Sequence, residues 1–114
     1  MINEVEKVWG RELWIVNEDE YCSKILEINP GFHGSLHYHK NKKETFHVLE
    51  GTVRLKQLDV RGNLIDETLS SGQTRTLYPR TGHEFSSYVG ARILEISTHH
   101  DDSDTFRLTE AGKL

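Results

Sequence analysis

Apolar and polar positions alternate along most of this chain in short runs separated by turn residues, the pattern of half-buried strands. Glu12–Asn17 (ELWIVN) reads as a strand, followed by a polar turn over Asn17–Glu20. Tyr21–Asn29 (YCSKILEIN) is a second, stopped by Pro30-Gly31. Ser35–His39 and Glu44–Leu49 come next, the latter ending at Glu50-Gly51. Thr52–Asp59 pairs with Leu64–Leu69 across the turn around Gly62-Asn63, a hairpin signal. Ser70–Gly72 turns the chain into Thr74–Tyr78, and Pro79–Gly82 turns it again. His83–Tyr88 and Ala91–Thr98 form a last hairpin across Val89-Gly90. Only the first eight residues and the stretch after Asp101 leave room for a helix, and neither is convincingly periodic. Short strands with closely spaced turns predict an all-β sandwich or barrel of antiparallel sheets. A barrel of this size leaves a pocket at one mouth, where ligands sit.

Length and charge narrow the partners. A chain of 114 residues is one domain with a single core. Its net charge of -4 argues against nucleic-acid phosphates as the main partner. No apolar run approaches a membrane span, and residues 1–20 lack the apolar centre of a signal peptide. Cys22 is the only cysteine, so no internal disulfide forms, which suits a cytoplasmic protein. Cys22 itself reads as a half-buried strand residue.

Chemistry concentrates between Gly31 and Gly51. His37 and His39 alternate with Tyr38, so on a strand both rings project to one face. Glu44 arrives from the next strand after the polar turn Lys40–Lys43, and His83 opens a later strand just after Pro79–Gly82. Together they make a three-histidine, one-carboxylate set suited to zinc, iron, manganese, nickel or copper. His47 falls on the opposite face from these ligands, and His33 sits in the turn before them. Adjacent His99 and His100 would point to opposite faces of a strand, so His99–Asp102 reads as a solvated loop rather than a second metal site. Trp9, Trp14, Phe46, Phe85 and Tyr78 read as core or pocket wall. No glycine-rich phosphate loop, G-x-S-x-G elbow or cysteine–histidine pair in a recognisable context accompanies them.

With those residues in hand, the chain resembles the cupin superfamily of small jelly-roll barrels. The first cupin motif, G-x5-H-x-H-x4-E-x6-G, is matched throughout by Gly31, His37, His39, Glu44 and Gly51. The second, G-x5-P-x-G-x2-H-x3-N, is met loosely by Gly72, Pro79, Gly82, His83 and Ser87. Within the superfamily, Trp9-Gly10-Arg11-Glu12, then Tyr21, Lys24 and Ser35-Leu36, looks like the cupin domain of type II phosphomannose isomerases. That family's late I-E-V-Q and D-D-I-x-R segments are echoed by Leu94–Ser97 and Ser103–Arg107. Two departures stand out: His37 replaces the family glutamine, and the terminal tyrosine-glycine-arginine is absent.

The resemblance implies a jelly-roll core over about residues 9–98, with terminal extensions at 1–8 and 99–114, and a homodimer. It implies a divalent metal, zinc first with iron, manganese or nickel also fitting, held by His37, His39, Glu44 and His83. Its small-molecule substrate would be a carbohydrate, and the reaction aldose–ketose isomerisation of a sugar or sugar phosphate. Glu95 is the candidate base, and Lys24 and Arg107 are the candidate cations for a phosphate or enediolate. Two alternatives stay open: a metal-dependent dioxygenase, favoured slightly by His37, and a binding module without turnover.

Overall fold

One strand crosses from one half of the barrel to the other and fixes the rest. In the computed structural model, which describes residues 2–114, β6 runs unbroken over Glu44–Leu58. Its first half pairs with β10 (Ala91–Ser97) and β8 (Thr74–Leu77), and its second half with β7 (Leu64–Ser70) and β9 (Gly82–Ser87). The break expected at Glu50-Gly51 is therefore a bend within a continuous strand. Gly51 makes it with φ 78, and a Cβ there would lie 2.1 Å from the Gly90 carbonyl oxygen. The ladder to β10 shifts register at the same place, between Arg92 and Ile93. A bulge beside a positive-φ glycine is how a strand turns from one sheet into another.

The remaining strands are β1 (Asn3–Lys7), β2 (Gly10–Asn17), β3 (Cys22–Ile28), β4 (Phe32–His33), β5 (His37–His39), β11 (Thr105–Arg107) and β12 (Gly112–Lys113). All pairings are antiparallel, and the sheet curls in the order β1-β2-β3-β10-β6-β9-β4-β12, with β5 joining β9 and β11. This is the antiparallel all-β architecture that the strand pattern predicts, in the jelly-roll form that the cupin resemblance implies. Of the two terminal stretches left open to a helix, Met1 lies outside the described residues, and the rest holds β1, β11, β12 and one 3-10 turn at Asp102–Asp104. Neither is long enough to sustain an isolated helix, whereas pairing with β2, β5 and β4 satisfies their backbone groups directly. Among the described residues, no helix is long and apolar enough to cross a membrane.

Strand alternation decides what faces inward. On β3 the buried positions are Cys22, Lys24, Leu26 and Ile28; on β10 they are Ala91, Ile93, Glu95 and Ser97; on β6, Glu44, Phe46 and Val48. Register sets Glu95 opposite both Lys24 and Phe46, and Ser97 opposite Glu44. The interior is thus apolar at one end and polar at the other. Leu26, Ile28, Val48, Val53, Leu55 and Ile93 close the apolar end, each buried side chain stabilising by roughly 1.5–3 kcal/mol. Trp9 meets Phe85 edge-on at 4.9 Å between the two ends. Cys22 is fully buried rather than half-buried, and Tyr78 is 59% exposed rather than part of the core or pocket wall.

A candidate metal centre

β5 and β9 lie side by side at the polar end, and their register puts His37 directly across from His83. His39, two residues along β5, points the same way, and one ring nitrogen from each of the three histidines lies within 4.8 Å of the others. Backbone carbonyls orient all three rings. Nδ1 of His37 donates to the Ser35 carbonyl (2.9 Å), that of His39 to Asp104 (3.1 Å) and that of His83 to Thr81 (3.3 Å). A carbonyl only accepts, so each Nδ1 carries the proton and each Nε2 turns an electron pair inward. Carbonyl-anchored imidazoles of this kind are the usual support of metal-ligating histidines.

Glu44 completes the set on one side. Its Oε1 is 2.8 Å from His83 Nε2 and 3.9 Å from His39 Nε2. Yet His83 Nε2 is a buried nitrogen without an aligned hydrogen-bond partner, despite the short distance to Glu44. An imidazole electron pair facing a carboxylate oxygen at that range is repulsive unless a proton or a metal ion lies between them. The donor set, three imidazoles and a carboxylate, fits a divalent transition metal on that ground and on its chemistry. Burial, reinforced by the His83 ring, depresses the pKa of His37 to about 3. Burial likewise takes His39 to about 4 against the pull of Glu44. Both rings are therefore neutral, as metal ligation requires, well into the acid range.

Behind the ligands lies a buried charge cluster. Lys42 Nζ sits 3.2 Å from Glu44 Oε2 and 2.8 Å from Glu95 Oε2. Burial alone would depress its pKa, but Glu95 and Glu44 outweigh burial and raise it, so the ammonium stays charged. Burial would raise Glu44 too; His83, Lys42 and His39 together hold it well below the ordinary carboxylate range. Glu95 goes the other way: burial and then the neighbouring Glu44 raise its pKa, and Lys42 and Lys24 offset this only in part. The two carboxylates share one lysine but are pushed apart in acidity.

His37, His39, Lys42, Glu44 and Glu95 line a cavity of about 350 Å³ whose apolar wall is Trp9, Phe46 and Phe85. Lys24 reaches it too and is 2% exposed. Its Nζ is already engaged, 3.9 Å over the Trp14 ring and 3.5 Å from Glu12 Oε1. Arg107 pairs in register with His37 through β11 but is exposed at the cavity rim, away from the buried charges.

Two cavity residues escaped the sequence reading. Lys42 was absorbed into the polar turn, although it stands two positions before Glu44, the spacing that puts both on one face of extended chain. His100, expected in a solvated loop, instead lines the cavity. Asn17 clamps its backbone, donating to the His100 carbonyl (3.0 Å) and accepting from its N–H (2.9 Å). The ring is thereby turned inward, with Nδ1 3.0 Å from Lys42 Nζ and Nε2 2.8 Å from Asp102 Oδ1. No periodicity announces such a clamp. His99 does face solvent, as read.

Comparison with known proteins agrees with this geometry at the level of the fold. No curated protein sequence matches the chain. Among solved structures, an oxalate decarboxylase from Bacillus subtilis superposes with a TM-score of 0.84 at 19% identity, over 94% of this chain and 30% of that one. The capsular polysaccharide assembling protein CapF from Staphylococcus aureus gives 0.84 at 16% identity, over 96% and 34%. The chain spans about a third of either protein, and at these identities the likeness is one of fold. Neither is a phosphomannose isomerase, so the narrower resemblance is not what these structures bring out. The sequence profile described as Cupin domain matches residues 24–97, from Lys24 on β3 to Ser97 at the end of β10, and the chain belongs to the cupin family.

Proposed function

We propose that this cupin is a metal-dependent isomerase that shifts a carbonyl between adjacent carbons of a small sugar or sugar phosphate. The observation that carries the reading is Glu95, an inward carboxyl with raised pKa on the wall of the cavity that His37, His39 and Glu44 also line. A carboxyl tuned upward by burial is suited both to take and to return a proton. Bound by His37, His39, Glu44 and His83, a divalent metal would supply Lewis-acid polarisation of the substrate carbonyl.

The chain's own groups do the rest. Glu95 removes the proton from the carbon beside the carbonyl and delivers it to the former carbonyl carbon, while the proton of the adjacent hydroxyl passes to the former carbonyl oxygen. Lys42, 2.8 Å away, keeps the carboxylate form tolerable during the transfer and limits the build-up of negative charge. Trp9, Phe46 and Phe85 keep water from that side of the cavity. Arg107 at the rim is placed to receive an anionic end of the substrate, whereas Lys24, already neutralised by Glu12, serves as wall.

The test is isotope exchange. Protein loaded in turn with zinc, manganese, iron(II) or nickel is incubated in D2O with aldose and ketose phosphates, mannose 6-phosphate among them, and with the free sugars. Deuterium should enter at the carbon next to the carbonyl. Glu95→Gln should slow that entry by roughly 10²–10⁴-fold while the protein still retains metal. Absence of exchange with every metal and sugar would falsify the isomerase. The three-histidine donor set also suits dioxygen chemistry, and oxygen uptake by the iron-loaded protein without exchange would favour that second reading.

A further inference from the structure

One residue bonded both to a proposed ligand and to the turn between two of them belongs to neither cupin motif. Asp104 closes the 3-10 turn Asp102–Asp104, between β10 and β11. Its Oδ1 accepts from the Lys40 N–H at 2.9 Å, and its Oδ2 from the Asn41 and Lys42 N–H groups at 3.1 Å each. Three successive amides converging on one carboxylate form an anion nest built from the protein's own chain. The turn so held runs from His39 to Glu44, carries a proposed ligand at each end and contains Lys42. The same residue's carbonyl accepts from His39 Nδ1 at 3.1 Å, with Thr105 Oγ1 more distant at 3.4 Å.

We infer that Asp104 is a positioning residue of the metal centre: its carbonyl fixes the His39 tautomer, and its carboxylate fixes the turn that spaces His39, Lys42 and Glu44. Without the carbonyl contact, His39 is free to carry its proton on Nε2 and present the wrong nitrogen. Without the carboxylate, the three amides of the turn need another acceptor, and Lys42 loses its aim between Glu44 and Glu95. The final segment of the chain is on this view part of the ligand scaffold, not a trailing extension. The inference rests on the metal reading of the histidines and is independent of the isomerase reading.

The experiment compares wild type with Asp104→Ala, Asp104→Asn and, as control, Asp101→Ala. Asp101 caps the same 3-10 turn by accepting from the Ser103 N–H at 2.9 Å, and its side chain makes no recorded bond to the metal turn. Zinc affinity is measured by competition with a chelator, and the ligand field by the visible absorption of the cobalt(II) form. Outer-shell partners of this type are worth roughly 10–100-fold in metal affinity. Asp104→Ala should lose zinc affinity by that factor, shift the cobalt spectrum and shrink the melting-temperature gain on adding zinc. Asp104→Asn keeps the shape and one acceptor oxygen and should fall in between, so it stands as the test even where the alanine variant does not fold. Asp101→Ala should stay within about twofold of wild type, because the Asp101 side chain bonds Ser103 and none of the 40–42 amides. A role limited to stability would lower the melting temperature with and without zinc equally and leave the cobalt spectrum unmoved, and that result overturns the inference. So does an equal loss of affinity in Asp101→Ala. Wild type that fails to bind zinc or cobalt overturns the metal centre and this inference with it, whatever the sugar assays show.

Discussion

Lys42 shows how much depends on one buried cation. It is 4% exposed and stands between two carboxylates that are themselves buried. Replacing it with methionine keeps the length of the side chain and removes the charge, leaving Glu44 and Glu95 uncompensated in a low-dielectric setting. Breaking a buried pair from one side costs about 3–5 kcal/mol, so urea denaturation of the metal-free Lys42→Met variant should show a loss of that order. Adding Glu95→Gln to it should recover part of the loss, since the remaining carboxylate is then relieved of a like charge. Strict additivity of the two substitutions would show that the shared lysine does not couple them. The sequence places Glu44 and Lys42 on one face by spacing alone. It does not show that Glu95 meets the same lysine, because that contact depends on the register of β10 against β6. Local spacing was legible in the chain, and the cross-strand partner was not. The same limit explains His100, whose inward turn depends on Asn17 from far away in sequence.

A second residue-scale prediction concerns acid. His37 is depressed to about 3 by burial, against an unfolded value of 6.5. Between those values the unfolded chain takes up a proton that the folded, metal-free protein refuses. Stability is therefore lost as pH falls through this window, the linkage sign of a histidine buried neutral. From pH 7 to 5 the contribution of His37 is about 2 kcal/mol by that linkage. Urea midpoints for metal-free wild type should fall over this range, and His37→Asn should fall less. Equal slopes would mean that His37 is already charged in the folded protein.

At the scale of elements, β6 carries the largest single commitment. Its passage between the two halves of the barrel depends on Gly51, where φ is 78 and the Gly90 carbonyl leaves no room for a Cβ. Gly62, in the β6–β7 turn, is a fair control, with φ 84 and open space around the same position. Gly62→Ala bears only the left-handed backbone term, about 1–2 kcal/mol. Gly51→Ala bears that term plus the clash, and should lower the urea midpoint clearly more. Comparable losses in the two variants would place the bend elsewhere. Turn residues alone place strand ends in a sequence, so Gly51, which lies inside a continuous strand, looks there like an end. Glycine marks a change of direction and does not say whether hydrogen bonding stops there. The terminal strands β1, β11 and β12 were hidden for the opposite reason. They are short, weakly patterned, and exist because barrel edges offer them partners.

For the molecule as a whole, a cation at the histidine cluster would act as a fastener between parts that are distant in sequence. His37 and His39 come from β5, Glu44 from the start of β6 and His83 from β9, while β11 leans on β5 and Asp104 on the turn between β5 and β6. β1 and β7 share none of these contacts with the site: β1 pairs only with β2, and β7 only with β6 beyond Gly51. Ligand binding to the folded state alone adds RT ln(1 + [L]/Kd), about 4 kcal/mol at a thousandfold excess over Kd. Part of that gain reports global stability, and part is local to the segments the ligand joins. Zinc should therefore raise the melting temperature and, in amide exchange, slow β5, the 40–43 turn and residues 102–107 more than β1 or β7. Chelator should reverse both effects. Uniform slowing across every strand would assign the stabilisation to the barrel as one cooperative unit. Slowing confined to β1 or β7 would move the metal away from the histidines altogether. The contrast between segments thus reports where the cation sits, before any substrate is known.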